Sequence, residues 1–463
     1  MKLMRQISIV CVAFLLAYGP FYRYLRGLVQ LHLITVLPYA VMGATLVLAC
    51  MTFPRWRRQR TTPIDDAIWH FLLLISITFL CALAFHSTEN ALKILRAYIL
   101  PLGVFFVTRD FSPERINWLI RFASVLSLLS VLLLFFEFFQ INIFGVDPRQ
   151  SIVAVAYTRA EDFDPRQYQA YFAQEAWKLP LIGYIVRPFG VLGAPQISGI
   201  YYVFMFWVVY FLVGPKESYV RRLCLSFFLA GTLLTDSRTA MIGLITITIL
   251  VVFRNMRGYT RVPVVLVIAG AFMAIMYPSF EALLDPERRV GILNSGVFLK
   301  DLLVFLNLEF EAIRKLNLLD LLFGTPKIDQ VEAFEANGII SAEYYFTHLT
   351  DVGILGVIVE IGLLPTLAIM RVFFVSHKTF LAGRTLSGQL KHARGTFIFA
   401  IWMMLVIGSI HYLAITVYCM NVIIMLVLAY IARESQKESP VKASGNIEMP
   451  PKDVYGKDIP SRS

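Results

Sequence analysis

Charge is what this sequence has little of. Only 16% of its 463 residues are Asp, Glu, Lys or Arg, while 58% are hydrophobic. The apolar residues come in runs of about 20, the length that crosses a bilayer, and no gap between runs is large enough for a separate soluble domain. Cysteine is sparse too: Cys11, Cys50, Cys81, Cys224 and Cys419 all fall inside apolar segments and form no CxxC pair. They read as small hydrophobes, which excludes a disulfide framework or a zinc knuckle. There is no HExxH, P-loop, dinucleotide-binding glycine pattern or G-x-S-x-G elbow. Nucleotide hydrolysis and serine-hydrolase chemistry thus lose their usual signatures, and no metal and no cofactor is expected.

What is present predicts an all-α polytopic membrane protein with about twelve transmembrane helices. Hydropathy places them near 6–20, 29–52, 65–86, 93–108, 117–139, 196–213, 219–235, 238–254, 262–278, 350–371, 395–412 and 414–432. The basic, then apolar, start reads as a retained first helix rather than a cleaved signal, because no A-x-A site follows. Pro38, Pro101 and Pro365 fall inside spans and predict irregular turns whose freed backbone groups must find new partners. Residues 1–433 form one multi-span unit in this reading, and 434–463, polar with four prolines, a disordered cytoplasmic tail.

Net charge is 42 − 31 = +11. The surplus clusters in PRWRRQR (54–60), KESYVRR (216–222), RNMRGYTR (254–261) and the stretch 376–394, all on one side of a twelve-span layout. The positive-inside rule makes that side the cytoplasm, with both termini inside, and leaves no reason to invoke nucleic acid. The two long segments 140–195 and 279–349 then lie outside, and 297–323 repeats apolar residues every three or four positions, as an amphipathic surface helix does. Loops this long are uncommon unless functional.

Several cations run against that topology. Arg238, in GTLLTDSRTAMIGL, sits where two spans meet on the outer side, and Arg187, in IVRPFGVLGAPQISG, precedes another span. Placing an arginine in hydrocarbon costs roughly 3 kcal/mol even on the lenient insertion scale. A guanidinium's planar fork pairs with phosphate oxygens, so Arg238 and Arg187 are candidates for holding a lipid-linked diphosphate, with Arg288 and Arg289 as further substrate contacts. Glu343 is the candidate general base for an acceptor hydroxyl, chosen over Glu332 and Glu335 for its fixed spacing to the following span. Asp351 reads as a helix cap, and Tyr345 and His348 as substrate neighbours rather than catalysts.

Three stretches in order, RPFGVLGAPQISGIY, LLTDSRTAMIGL and SAEYYFTHLTDVGILGVIVEIGLL, resemble the bacterial O-antigen polymerase and ligase superfamily over residues 185–370. The matching positions are Arg187, Gly190 and Pro195; Ser237, Arg238 and Ala240; and Tyr345, Gly353 and Gly356. Two positions depart from the pattern. Ala342 and Glu343 stand where ligases carry a His-Asn pair, and Gln196 replaces an asparagine. The resemblance therefore implies a polymerase, moving glycan from undecaprenyl diphosphate onto a lipid-linked repeat unit at the outer face of the inner membrane. Its implied partners are that lipid-linked oligosaccharide, membrane lipids and a chain-length regulator. A ligase of the same superfamily is the nearest alternative. A secondary transporter is the alternative from another class, since twelve spans is a common transporter layout.

Overall fold

The computed structural model describes residues 2–29, 32–56, 62–158, 176–179, 183–186, 188–192, 195–213, 218–235, 237–255, 316–324, 353–382 and 418–437, with scattered positions between 262 and 314. Helix dominates. In chain order the helices are α1 (Lys2–Tyr18), α2 (Tyr22–Val29), α3 (His32–Trp56), α4 (Pro63–Phe85), α5 (Thr88–Ile94), α6 (Leu100–Thr108), α7 (Pro113–Asn142) and α8 (Ile152–Thr158). After a short antiparallel hairpin, β1 (Ala176–Leu179) and β2 (Gly183–Val186), come α9 (Pro195–Leu212), α10 (Ser218–Thr235) and α11 (Arg238–Asn255). The later elements are α12 (Leu318–Phe323), α13 (Gly353–Ile361), α14 (Leu363–Ala382) and α15 (Tyr418–Lys437).

Four helical stretches among the described residues are long and apolar enough to cross a membrane: Leu3–Phe21, Pro63–Phe85, Thr88–Thr108 and Glu114–Asn142. Shorter apolar stretches lie at Val36–Met51, Ile197–Tyr210, Leu363–Ser376 and Met420–Arg433. The spans expected at 262–278 and 395–412 lie almost wholly outside the described residues. The helix α15 runs to Lys437, four residues into the segment read as tail; the rest of that tail is also outside them. The hairpin and the short helices α2 and α8 are additions that hydropathy did not announce.

Local chemistry sets the boundaries. Thr62 and Asp65 form a reciprocal capping box and Pro63 occupies the first turn, so α4 begins where its donors are satisfied. Two of the three expected proline irregularities are visible. Between α5 and α6, Leu95–Ile99 widens into a π turn just before Pro101, which has no N–H to give. The span expected as one helix over 350–371 is corrected to two, α13 and α14, broken at Gly362 with φ +86°. Pro365 cannot donate to the Ile361 carbonyl, and the Thr78 hydroxyl of α4 donates to that oxygen instead, at 3.2 Å. At Pro38, by contrast, α3 is continuous.

Two ends of the bundle follow from the connections. At one, the Asp65 end, Arg109 at the close of α6 makes a two-pronged ion pair with Asp65, at 2.9 and 3.0 Å, with both side chains fully buried. Arg433 of α15 donates to the Arg109 carbonyl at 3.0 Å. The helix α7 starts at this end and carries the chain roughly 36 Å away before Glu137. The far end, the Gly190 end, gathers the close of α7, the hairpin, residues 188–192 and the starts of α9 and α11. The α4–α5 turn is there as well, with His86 facing Asp320 of α12 at 3.4 Å.

Candidate functional site

The segment around Arg187 is held from both sides by one helix. Asn142, at the close of α7, accepts the Val186 N–H and donates to the Val186 carbonyl, each at 2.8 Å. One and a half turns earlier, Glu137 is wholly buried. Its Oε2 accepts the Gly190 N–H at 2.9 Å, the Phe189 N–H reaches the same carboxylate, and its Oε1 accepts the Ser151 hydroxyl at 3.1 Å. Such hydrogen bonds contribute about 0.5–1.5 kcal/mol each, and more when the acceptor is charged. Arg187 itself lies outside the described residues, but residues 186 and 189–190 on either side of it are fixed.

Apolar packing seals this clamp. Phe189 and Val191 are buried with Tyr24 of α2 and with Val153 and Ala156 of α8. Burial, with the Glu137 carboxylate nearby, pushes the Tyr24 phenol above its ordinary pKa. Gly190 adopts φ +78°, and a Cβ there would fall 2.7 Å from the Ser198 hydroxyl. A side chain at position 190 is therefore excluded twice, by backbone conformation and by space.

Beyond the clamp, two helix N-termini meet. Gly199, in the second turn of α9, lies against the start of α11: a Cβ on it would come within 2.6 Å of Thr235 Oγ1, 2.7 Å of Ser237 Cβ and 3.0 Å of Ala240 Cβ. Ser237 caps α11, its buried hydroxyl accepting the Ala240 N–H at 3.3 Å. Arg238 is the first helical residue after that cap. Each N-terminus carries roughly half a positive charge and unsatisfied N–H groups, so two side by side favour a bound anion. Ser198, in the first turn of α9, is wholly buried, and its hydroxyl has no hydrogen-bond partner among the described residues.

Two of the three motif stretches thus come together: Gly190 and Pro195 with Ser237, Arg238 and Ala240. Arg288, Arg289, Glu343, Tyr345 and His348 lie outside the described residues. Glu137, Asn142, Ser151 and Ser198 were not singled out as site residues by the sequence reading. The clamps join positions 44 and 53 residues apart, which no local pattern encodes. The one signal available was a carboxylate and an amide near the end of an otherwise apolar span.

A second polar group sits at the same end on another face. Glu360, at the close of α13, accepts from Tyr98 of the π turn at 3.2 Å and pairs with Lys93 of α5 at 3.3 Å. Among the described residues no group of three or more His, Cys, Asp and Glu has a metal-holding arrangement. No family model matches the chain, and no curated protein matches it.

Proposed function

We propose that the protein is a polysaccharide polymerase, acting on undecaprenyl-diphosphate-linked glycan at the outer face of the bacterial inner membrane. The observation that carries the reading is the meeting of the α9 and α11 N-termini beside the clamped 186–190 segment. A diphosphate is the ligand that such a pair of N-termini, with Arg238 at the head of one and Arg187 ahead of the other, is suited to hold.

In this reading the acceptor sugar's hydroxyl oxygen attacks the anomeric carbon of the donor glycan. The new C–O bond forms as the bond from that carbon to the diphosphate breaks, and undecaprenyl diphosphate leaves with the bonding pair. Arg238, Arg187 and the helix N-termini stabilise the charge that develops on it. Glu343 takes the acceptor's proton, and Arg288, Arg289, Tyr345 and His348 contact the sugars. The Gly190 end faces outward and the Asp65 end the cytoplasm in this reading, because the Arg-rich segments 54–60, 216–222 and 254–261 include or adjoin the ends of α3, α10 and α11 that lie away from the Gly190 end.

The test is to supply purified protein with one lipid-linked repeat unit. A ladder of products that Arg238→Ala abolishes supports the polymerase, whereas transfer to a different acceptor without self-elongation indicates a ligase. The break at Gly362 and the half-buried Lys93–Glu360 pair favour a second reading, a secondary transporter, since discontinuous helices and intramembrane ion pairs mark transport pathways. Ion-driven solute uptake into proteoliposomes, with no ladder, would replace the polymerase reading with that one.

A further inference from the structure

Arg96 occupies an unusual place. It lies in the π turn, within the membrane-length stretch Thr88–Thr108, and its side chain is exposed. Counting along the helix puts it about 20 Å from the Arg109 end and about 14 Å from the α4–α5 turn, so it belongs to the half of the span nearer the Gly190 end. The surface around it is apolar: Leu92, one turn towards the α4–α5 turn, is 45% exposed, and Val36 on the neighbouring α3 is 57% exposed. That surface is what hydrocarbon would cover.

The guanidinium is nonetheless oriented. Its carbon stands 5.5 Å from the centre of the Tyr39 ring, and Nε donates to the Leu92 carbonyl at 3.2 Å. Tyr22 meets Tyr39 edge-on at 6.3 Å and shares a hydrogen bond with it, and Arg26 is close enough to act electrostatically on the Tyr22 phenol. No carboxylate pairs with Arg96 among the described residues, whereas its neighbour Lys93 has Glu360. A charged fork laid on an aromatic platform, facing lipid and without an acidic partner among the described residues, is suited to an anion from the lipid phase.

We propose that Arg96, seated on Tyr39, binds the phosphate of an anionic lipid in the leaflet at the Gly190 end. The site is separate from the one above: α9 packs with α7, α10 and α11, while the π turn packs with α4, α5 and α6. It does not depend on the glycan chemistry. A glycerophospholipid and a polyprenyl phosphate present the same phosphate oxygens.

The experiment measures lipid binding to the full chain in neutral detergent by native mass spectrometry, titrating phosphatidylglycerol and, separately, undecaprenyl phosphate. Arg96→Gln should weaken binding about tenfold for at least one of them, Arg96→Lys should weaken it less, and Arg222→Gln at the opposite end should leave it unchanged. Loss for both lipids makes the site a general phosphate holder, and loss for the polyprenyl lipid alone names that lipid as its occupant. Unchanged binding of both overturns the proposal. Should Arg96→Gln fail to fold, Tyr39→Leu decides: severalfold weaker binding supports the site, and undiminished binding overturns it.

Discussion

The two ends of the bundle use similar side chains in opposite ways. At the Asp65 end a carboxylate and a guanidinium meet directly, both buried, and the second arginine there donates to a backbone carbonyl. Charge is neutralised and the helix start is capped. At the Gly190 end the buried carboxylate, Glu137, accepts from backbone N–H groups and a hydroxyl, so its oxygens shape the chain. Helix N-termini crowd together there instead of being dispersed, and a buried hydroxyl at Ser198 has no hydrogen-bond partner among the described residues. The first arrangement fastens helices. The second positions a loop beside two helix N-termini.

The sharpest way to break that contrast is at the fastened end. Asp65→Ala leaves Arg109 buried without its partner and should cost about 3–5 kcal/mol, seen as a much lower unfolding temperature in detergent. Activity per folded molecule should be unchanged, because the proposed phosphate site is at the other end; selective loss of activity would erase the distinction between the ends. Glu137→Ala comes next. It strands the Phe189 and Gly190 N–H groups and the Ser151 hydroxyl, at about 1–3 kcal/mol for each group left unsatisfied, and should sharply raise the KM for lipid-linked donor. Glu137→Gln keeps an acceptor oxygen and should fall between. Equal KM in all three proteins would show that the clamp does not position the donor site.

Much of the fold was legible because hydropathy is local. The helix Pro63–Phe85 falls on the span expected at 65–86, and Pro113–Asn142 brackets the one expected at 117–139. Pro101 announced its π turn. Pro365 announced an irregularity as well, but the break moved to Gly362, because only glycine accepts that φ readily and Thr78 was at hand for the freed carbonyl. The candidate site was half legible. The motif residues Gly190, Pro195, Ser237 and Arg238 lie near one another in the structure, while Glu137 and Asn142, which hold that segment, are remote in sequence and look like ordinary polar residues near the end of a span. The short helix α2 was missed since eight residues of mixed character carry no span signal.

Smaller changes refine the contrast. Gly199→Val should push the α9 and α11 N-termini apart, costing about 1–3 kcal/mol by overpacking and lowering elongation more than folded yield. A fall in folded yield with elongation per molecule intact would make that crossing purely structural. Ser198→Ala should be the mildest, neutral or stabilising by about 1 kcal/mol in unfolding measurements, because it removes a buried hydroxyl without a partner among the described residues. If that hydroxyl serves a bound anion, donor affinity falls severalfold in the same variant; unchanged affinity would exclude it from the site.

The most direct measurement is undecaprenyl diphosphate binding to the purified chain, comparing the native protein with Arg238→Ala at one end and Arg222→Ala at the other. The account predicts affinity at least about tenfold weaker for Arg238→Ala, the value of one charge-assisted phosphate contact, and no change for Arg222→Ala. Native-like affinity in Arg238→Ala, or an equal loss in both variants, would contradict it.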